Sequence, residues 1–196
     1  MRRSTALVLV VLGAAFAGLV FSSSAIRLDG DAAPAEPSVA AGPQTAMLWW
    51  RETYGPPGQK LVFEVERLRV MRDGWKAWVR LTNKTSVAYE VGDPRATIDR
   101  SFGLMLFETG SASELESRNA EGTLPALRPA TRYKPALPKI LESQGSWHGV
   151  ISAPGSLVAG SWMRVVFGTL IAIGSTGDVL DERVIWITDH AYRLRR

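Results

Sequence analysis

The sequence predicts an all-β protein built as an antiparallel β-sandwich. Apolar residues recur with a period of two over most of the chain after residue 59. Turn signals such as Asp73-Gly74 separate the short apolar runs, and no window of a dozen residues has a convincing helical period. Many short strands with regular turns and no long helix are typical of two packed antiparallel sheets.

Residues 1–25 have the order of a secretory signal. Arg2 and Arg3 precede an uncharged stretch from Ala6 to Phe21, and small residues lead up to Ala25. Cleavage after Ala25 would release the rest of the chain, whereas an uncleaved hydrophobic helix would anchor it in the membrane. Both alternatives predict an extracytoplasmic location, either at the cell membrane or secreted. Residues 26–44, which are rich in Ala and Pro, are predicted to form a flexible, disordered linker.

Residues 45–196 are predicted to form a single folded domain. The 108–118 stretch is expected to form a helical turn or two around Leu115. The predicted strands lie near residues 61–66, 75–82, 87–91, 102–107, 146–152, 162–170 and 183–188. The predicted core consists of Trp75, Val79, Leu81, Tyr89, Leu104, Leu106, Trp147, Ile151, Val165, Phe167, Val184 and Trp186.

The composition excludes several kinds of site. The 196-residue chain has no cysteine, so it has no disulfide framework, no thiolate metal site and no cysteine nucleophile. It contains neither of the glycine-rich motifs that hold phosphates, and no cofactor is predicted. The formal net charge is +4, but two of the basic residues are Arg2 and Arg3 of the N-terminal segment. The net charge therefore gives no support for nucleic-acid binding.

Three segments carry a resemblance to a known class of domain. They are 75–83, Ser146-Trp147-His148-Gly149 and Arg164-Val165-Val166-Phe167-Gly168. With these strands, an export segment and a tether, the chain resembles the small exported immunoglobulin-like β-sandwich domains of Gram-positive bacteria. The resemblance covers most of residues 59–190. It implies an immunoglobulin-like sandwich and a binding or accessory role, because such domains mostly have no known catalytic site.

The tripeptide Thr188-Asp189-His190 offers the strongest hint of chemistry. Asp189 and His190 could join His148 in a metal-dependent or hydrolytic site. Alternatively, Asp189 and His190 cap backbone groups at the end of a strand. The two histidines are 42 positions apart, which is not a diagnostic ligand spacing.

The segment 108–145 is split by charge. Its first part is acidic, whereas residues 124–140 carry four basic residues and four prolines and no acid. The basic part either binds an anionic partner or pairs internally with the acidic part. Trp78, on the polar face of its predicted strand, is a candidate exposed aromatic contact. The candidate ligand-binding residues are Arg128, Arg132, Tyr133, Lys134, Lys139 and Trp78.

These observations favour a non-enzymatic binding or accessory module of the bacterial cell envelope. The expected partner is an envelope protein, an anionic envelope polymer or lipid headgroups, with a further membrane contact through the N-terminal segment if it stays uncleaved. A metal-dependent or hydrolytic enzyme and a structural subunit of an envelope complex are the alternatives. Trp49 and Trp50 either rest at the membrane interface or cap an open end of the sandwich.

Overall fold

The computed structural model describes residues 38–92, 102–174 and 180–196. Within these ranges the chain is mostly β-structure with one short helix, and all strand pairings are antiparallel. The prediction of an all-β antiparallel protein is therefore confirmed. In chain order the elements are β1 (Gln44–Tyr54), β2 (Lys60–Met71), β3 (Gly74–Lys84), β4 (Ala88–Val91), β5 (Gly103–Phe107), α1 (Ala112–Ala120), β6 (Arg128–Pro129), β7 (Arg132–Lys134), β8 (Ile140–Leu141), β9 (Ser146–Pro154), β10 (Trp162–Ile173), β11 (Arg183–Ile187) and β12 (Tyr192–Arg193).

The first sheet has five strands in the order β1-β2-β3-β9-β7. Its β2–β3 hairpin turns at Arg72-Asp73, one residue before the predicted Asp73-Gly74, and Gly74 is the first residue of β3, paired to Met71. Along β3 the apolar residues of the predicted alternation are buried, whereas Lys76 and Arg80 point to solvent. The sheet therefore covers the core with one face and presents a polar outer face, as antiparallel sheets commonly do.

The second sheet is organised around the long strand β10, in the order β6-β5-β10-β4-β8 with β11 and β12 also paired to β10. Residues 162–166 of β10 pair with β5 and residues 170–173 pair with β4. Along its other edge, residues 166–171 pair with β11 and residues 162–163 with β12. A strand of twelve residues is long enough to take two partners in succession on each side.

One hydrophobic cluster joins the two sheets. Phe63 of the first sheet lies 5.0 Å from Trp186 and 5.2 Å from Phe167 of the second, measured between ring centroids. Aromatic pairs of this kind contribute about 0.5–1.5 kcal/mol beyond the area they bury. All predicted core residues are buried except Leu106, which is half-buried and packs against the cluster. Aromatic packing thus connects the sheets of a chain that has no cysteine.

The helix α1 covers the outer side of the second sheet. The side chain of Ser111 accepts a hydrogen bond from the backbone of Ser113 and caps the helix N-terminus. Leu115 is buried in a small cluster with Phe107, Val166 and other apolar residues. The predicted helical turns around Leu115 are confirmed.

The folded part of the chain begins earlier than the sequence predicts. Ala40 forms a β-bridge with Val158, and the buried Ala41 donates its N–H to the carbonyl of Leu157 at 2.7 Å. Residues 38–44 of the predicted linker therefore pack onto the domain.

The hydrophobic pattern of the sequence does not predict β1, although the even-numbered residues of the strand face inward along its whole length. The buried carboxylate of Glu52 stands among its inward residues, and a bulge shifts the register after Met47. At the bulge Trp49 has a positive φ of 53° and is 69% exposed, whereas Trp50 stacks on His190 at 5.7 Å. Trp50 packs against the core cluster, as the packing hypothesis for this pair expects, whereas Trp49 is exposed.

Several predictions lie outside the described residues. They concern the hydrophobic segment 1–25, the linker up to residue 37 and the hairpin at Gly177-Asp178. In the three described ranges, no helix combines the length and the apolar character needed to cross a membrane.

The bulge in β1 leads to a stability prediction. A left-handed backbone conformation costs a residue with a Cβ atom roughly 1–2 kcal/mol, and glycine in a strand costs about 0.5–1 kcal/mol. We therefore expect Trp49→Gly to leave the free energy of unfolding unchanged or to raise it by up to about 1 kcal/mol. The matched control Trp50→Gly removes the stack on His190 and should lower it. Urea unfolding of the full-length variants measures both, and equal losses in the two would contradict the expectation.

Candidate functional site

The two histidines occupy separate places. His148 points outward from β9, and its Nε2 lies 3.3 Å from the carboxylate of Glu66. His190 lies on the inner side of β1, with Nδ1 2.7 Å from Oε1 of Glu52. In the part of the chain that the structure describes, no group of three or more His, Asp and Glu side chains could hold a metal ion. His148 therefore does not share a site with Asp189 and His190.

The carboxylate of Glu52 is fully used in hydrogen bonds. It accepts from the indole N–H of Trp186 at 2.6 Å and from the backbone N–H groups of Asp189 and His190, both at 3.0 Å. The imidazole of His190 contacts the same carboxylate. This arrangement joins β1 to the segment that follows β11.

The guanidinium of Arg164 binds the same segment from the other side. Arg164 is completely buried on β10 and donates to the carbonyls of Thr188 and Asp189. Its second amino group donates to the carbonyls of Gly110 and Ser111, at 3.2 and 2.8 Å. Arg164 thereby holds the start of α1 and the end of β11 together.

The predicted basic strip is divided among three places in the fold. Arg128 lies on β6 and Lys139 lies next to β8, and the two strands extend the second sheet from the same side of β10 at different positions along it, β6 through β5 and β8 through β4. Arg132, Tyr133 and Lys134 form β7, at the edge of the first sheet. The extended chain crosses from one sheet to the other between these residues, so the strip is not one continuous surface.

Two acids of the segment, Glu108 and Glu114, form local ion pairs. Arg118 of α1 lies 2.9 Å from Glu108 and 2.9 Å from Glu114. Hydrogen bonds from Thr109 and Arg118 lower the pKa of Glu114, against the opposing effect of desolvation. Among the described residues, no ion pair joins this acidic part to Arg128, Arg132, Lys134 or Lys139.

Part of the strip meets Trp78 in a cleft on the outer face of the first sheet. The register pairs Trp78 of β3 with Val150 of β9, and Val150 with Lys134 of β7. In the adjacent row, Lys76 pairs with Ser152, and Ser152 with Arg132. The resulting cleft has a volume of about 560 Å³, and we call it the basic cleft. It is lined by Lys76, Trp78, Arg132, Tyr133, Lys134, Val150 and Ser152.

The shape of the basic cleft follows from side-chain size. The small side chains of Val150 and Ser152 form its floor on β9, whereas longer side chains rise from β3 and β7 on either side. Neighbouring strands are about 4.8 Å apart, so these walls stand on backbones roughly 10 Å apart. The cleft is therefore a trough that runs along β9.

Tyr133 has a supporting role in this cleft. Its ring packs edge-on against Phe102 at 6.2 Å, and its hydroxyl donates to the carbonyl of Ala130 at 3.4 Å. These contacts fix the short strand β7 in place, while Arg132 and Lys134 on either side of Tyr133 remain exposed.

Two further cations lie beside the cleft on β2. Arg69 pairs across the sheet with Lys76, and the guanidinium carbon of Arg67 lies 3.6 Å from the ring centroid of Trp78. Neither Arg67 nor Arg69 is among the candidate residues that the sequence suggests. Counting residues back from a two-residue turn at Asp73-Gly74 would pair Arg69 with Trp78 and Arg67 with Arg80, so the predicted hairpin alone did not give the observed pairs, which follow from a turn at Arg72-Asp73.

The carboxylates of this face lie in a neighbouring row. Glu64 contacts Arg51 at 2.9 Å and Arg80 at 3.8 Å, and Glu66 contacts Arg80 at 3.7 Å. Within the described ranges, no carboxylate forms an ion pair with Lys76, Arg132 or Lys134 of the cleft.

Comparison of the chain with protein-family models, with curated proteins and with solved structures gave no significant match. The resemblance to exported immunoglobulin-like domains therefore stays a hypothesis drawn from the sequence. The geometry of the described residues brings Trp78, Arg132 and Lys134 together and leaves Arg128 and Lys139 elsewhere.

The site around Glu52 leads to a prediction about pH. Desolvation and the nearby charge of Glu52 raise the pKa of the Asp189 carboxyl above its ordinary value of 3.8. Ionised Asp189 is therefore less favourable in the folded state than in the unfolded state. Its contribution to stability is most favourable below the ordinary pKa and is lost as the pH rises through the folded pKa.

We therefore expect Asp189→Asn to be more stable than wild type at neutral pH. The difference should shrink as the pH falls towards 3.8, because wild-type Asp189 becomes protonated. Thermal unfolding of both proteins across this pH range measures the effect. A variant that is less stable at neutral pH, or a difference that does not change with pH, would contradict the assignment.

Proposed function

We propose that the protein is a non-enzymatic binding module whose ligand occupies the basic cleft. The ligand carries phosphate or carboxylate groups, which the cations on the two walls recognise. The observation that carries this proposal is the set of Lys76, Arg132 and Lys134 around Trp78, without a carboxylate partner in the described residues.

The charge arrangement supports an external anion. Arg69 and Lys76 face each other directly across β2 and β3, and like charges in this position destabilise a sheet. Folding alone gives no reason to collect these cations, since Glu64 and Glu66 are paired in the next row. An anion bound between the walls would relieve the repulsion and gain charge-assisted hydrogen bonds.

Trp78 adds an apolar contact to this recognition. The guanidinium of Arg67 covers one face of its ring, and the ring also lines the cleft. Exposed tryptophan and arginine are enriched at binding surfaces because they combine a large contact area with polar groups. The ligand therefore combines anionic groups with an apolar or ring-shaped part.

The cellular setting of the proposal comes from the sequence. The segment 1–25 directs the module out of the cytoplasm, as a secreted or membrane-anchored protein. The proposed architecture is an immunoglobulin-like β-sandwich, and the hydrophobic cluster shared by the two sheets supports it. Anionic polymers and lipid headgroups of the envelope supply ligands of the required charge.

The division of the basic strip provides a matched test. Arg132→Glu with Lys134→Glu reverses two charges in the cleft, and Arg128→Glu with Lys139→Glu makes the same change elsewhere. All four side chains are exposed, so the fold should be retained in both variants. We expect the cleft variant to bind immobilised poly(glycerol phosphate) at least about tenfold more weakly than wild type, equivalent to about 1.4 kcal/mol. The control should bind as wild type does.

Salt gives the second readout of this test. Binding of wild type should weaken as the salt concentration rises, because the screening length falls to about 3 Å at 1 M salt. Circular dichroism checks that both variants are folded. If both variants lost the same amount of affinity for poly(glycerol phosphate), the net charge of the protein, and not the cleft, would account for binding. Retention of the cleft variant at the wild-type level would remove the cleft as the binding site.

A further inference from the structure

The basic cleft does not end at Lys76 and Arg132. A second cavity of about 230 Å³ continues from it towards the β2–β3 hairpin. The two cavities share Lys76, Arg132 and Ser152. The second cavity adds Met71, Asp73, Gly74 and Pro154 among its lining residues.

The combined trough is long and narrow. Its floor follows β9 from Val150 to Pro154, and a strand rises about 3.4 Å per residue, which gives a length of roughly 14 Å. Its walls stand on backbones roughly 10 Å apart. A single phosphate group fills only part of such a trough, whereas an extended chain can follow it.

The chemistry changes along the trough. Trp78, Lys134 and Arg132 stand in the basic cleft, and the hairpin end carries the carboxylate of Asp73 and the apolar side chain of Met71. The cations of the basic cleft attract anionic groups of a ligand, whereas the carboxylate of Asp73 can accept a hydrogen bond from a hydroxyl group of the ligand. A chain of hydroxylated units joined by phosphates has both features.

We propose that the two cavities form one extended site for a polyol-phosphate or sugar-phosphate polymer that lies along β9. This inference rests on the proposed function and adds the length and the class of the ligand. Phosphodiester groups lie between the cations of β3 and β7, an uncharged unit stacks on the open side of Trp78, and a hydroxylated unit reaches Asp73.

A single-stranded nucleic acid fits this trough less well. Such strands are held by successive bases stacked on several aromatic side chains. Trp78 offers one stacking surface, because Arg67 occupies the other face of its ring at 3.6 Å. Tyr133 is turned towards Phe102 and the core.

The test compares ligands of increasing length on the full-length protein. The probes are a single glycerol phosphate unit, short glycerol phosphate oligomers, oligothymidylate of similar charge, and phosphatidylglycerol vesicles. We expect the tetramer to bind more tightly than the single unit by about tenfold or more after its affinity is divided by its number of units. Tenfold corresponds to about 1.4 kcal/mol. Calorimetry and NMR titration measure the stronger and the weaker binding, respectively.

Two variants locate the length effect. Pro154→Trp fills the hairpin end of the trough, where Pro154 is exposed at the end of β9. Ser146→Trp places the same side chain on the same face at the opposite end of β9, outside both cavities. We expect Pro154→Trp to bind the single unit as wild type does and to lose the gain with length. Ser146→Trp should keep the gain.

The outcomes separate this inference from the proposed function. If the single unit and the oligomers bind equally well after correction for the number of units, or if Pro154→Trp keeps the full gain, the extended site is wrong and the anion site stands. If no glycerol phosphate probe binds, both proposals fail. Tighter binding of oligothymidylate would assign the trough to nucleic acid, and tighter binding of vesicles than of free oligomers would assign it to a lipid surface. Each of these two results overturns the polymer assignment.

Discussion

The segment after β11 is held between two buried charged groups, and the connection between the sheets depends on this arrangement. Its N–H groups at Asp189 and His190 point to the carboxylate of Glu52, whereas the carbonyls of Thr188 and Asp189 point to the guanidinium of Arg164. Buried charges persist only where hydrogen bonds replace their hydration. Because Glu52 belongs to the first sheet and Arg164 to the second, the hydrogen bonds that both groups form with this segment help to fix the sheets relative to one another.

This internal arrangement separates the charges that hold the fold from the charges that face solvent. Glu52 binds two backbone N–H groups and the side chains of Trp186 and His190, and Arg164 binds backbone carbonyls. Near α1, Glu108 and Glu114 pair with Arg118. On the outer face of the first sheet, exposed ion pairs such as Arg51–Glu64 contribute only about 0–1 kcal/mol each. The cations of the basic cleft therefore contribute little to the fold and are available for recognition.

The sequence predicted the strands whose alternation is regular, and the hydrophobic residues they bury. It did not predict β1, because the charged Glu52 occupies an inward position and the apolar Met47 and Trp49 occupy outward positions. The basic strip was treated as one surface, since sequence proximity cannot show that the chain crosses between sheets after Arg128. Trp78 and Arg132 were both named as candidates, but their meeting depends on β9 lying between β3 and β7, a long-range pairing that no local pattern specifies.

The same pairing explains why the trough lies where it does. β9 carries large residues such as Trp147 and Ile151 on its inner face and the small floor residues on its outer face, so the strand is firmly packed and yet leaves space above it. β7 has three residues and is held by Tyr133, whose ring rests on Phe102. Because β7 is already ordered before a ligand binds, Arg132 and Lys134 are preorganised, and binding costs less conformational entropy. The packing of Tyr133 on the inner face thus contributes to ligand recognition on the outer face.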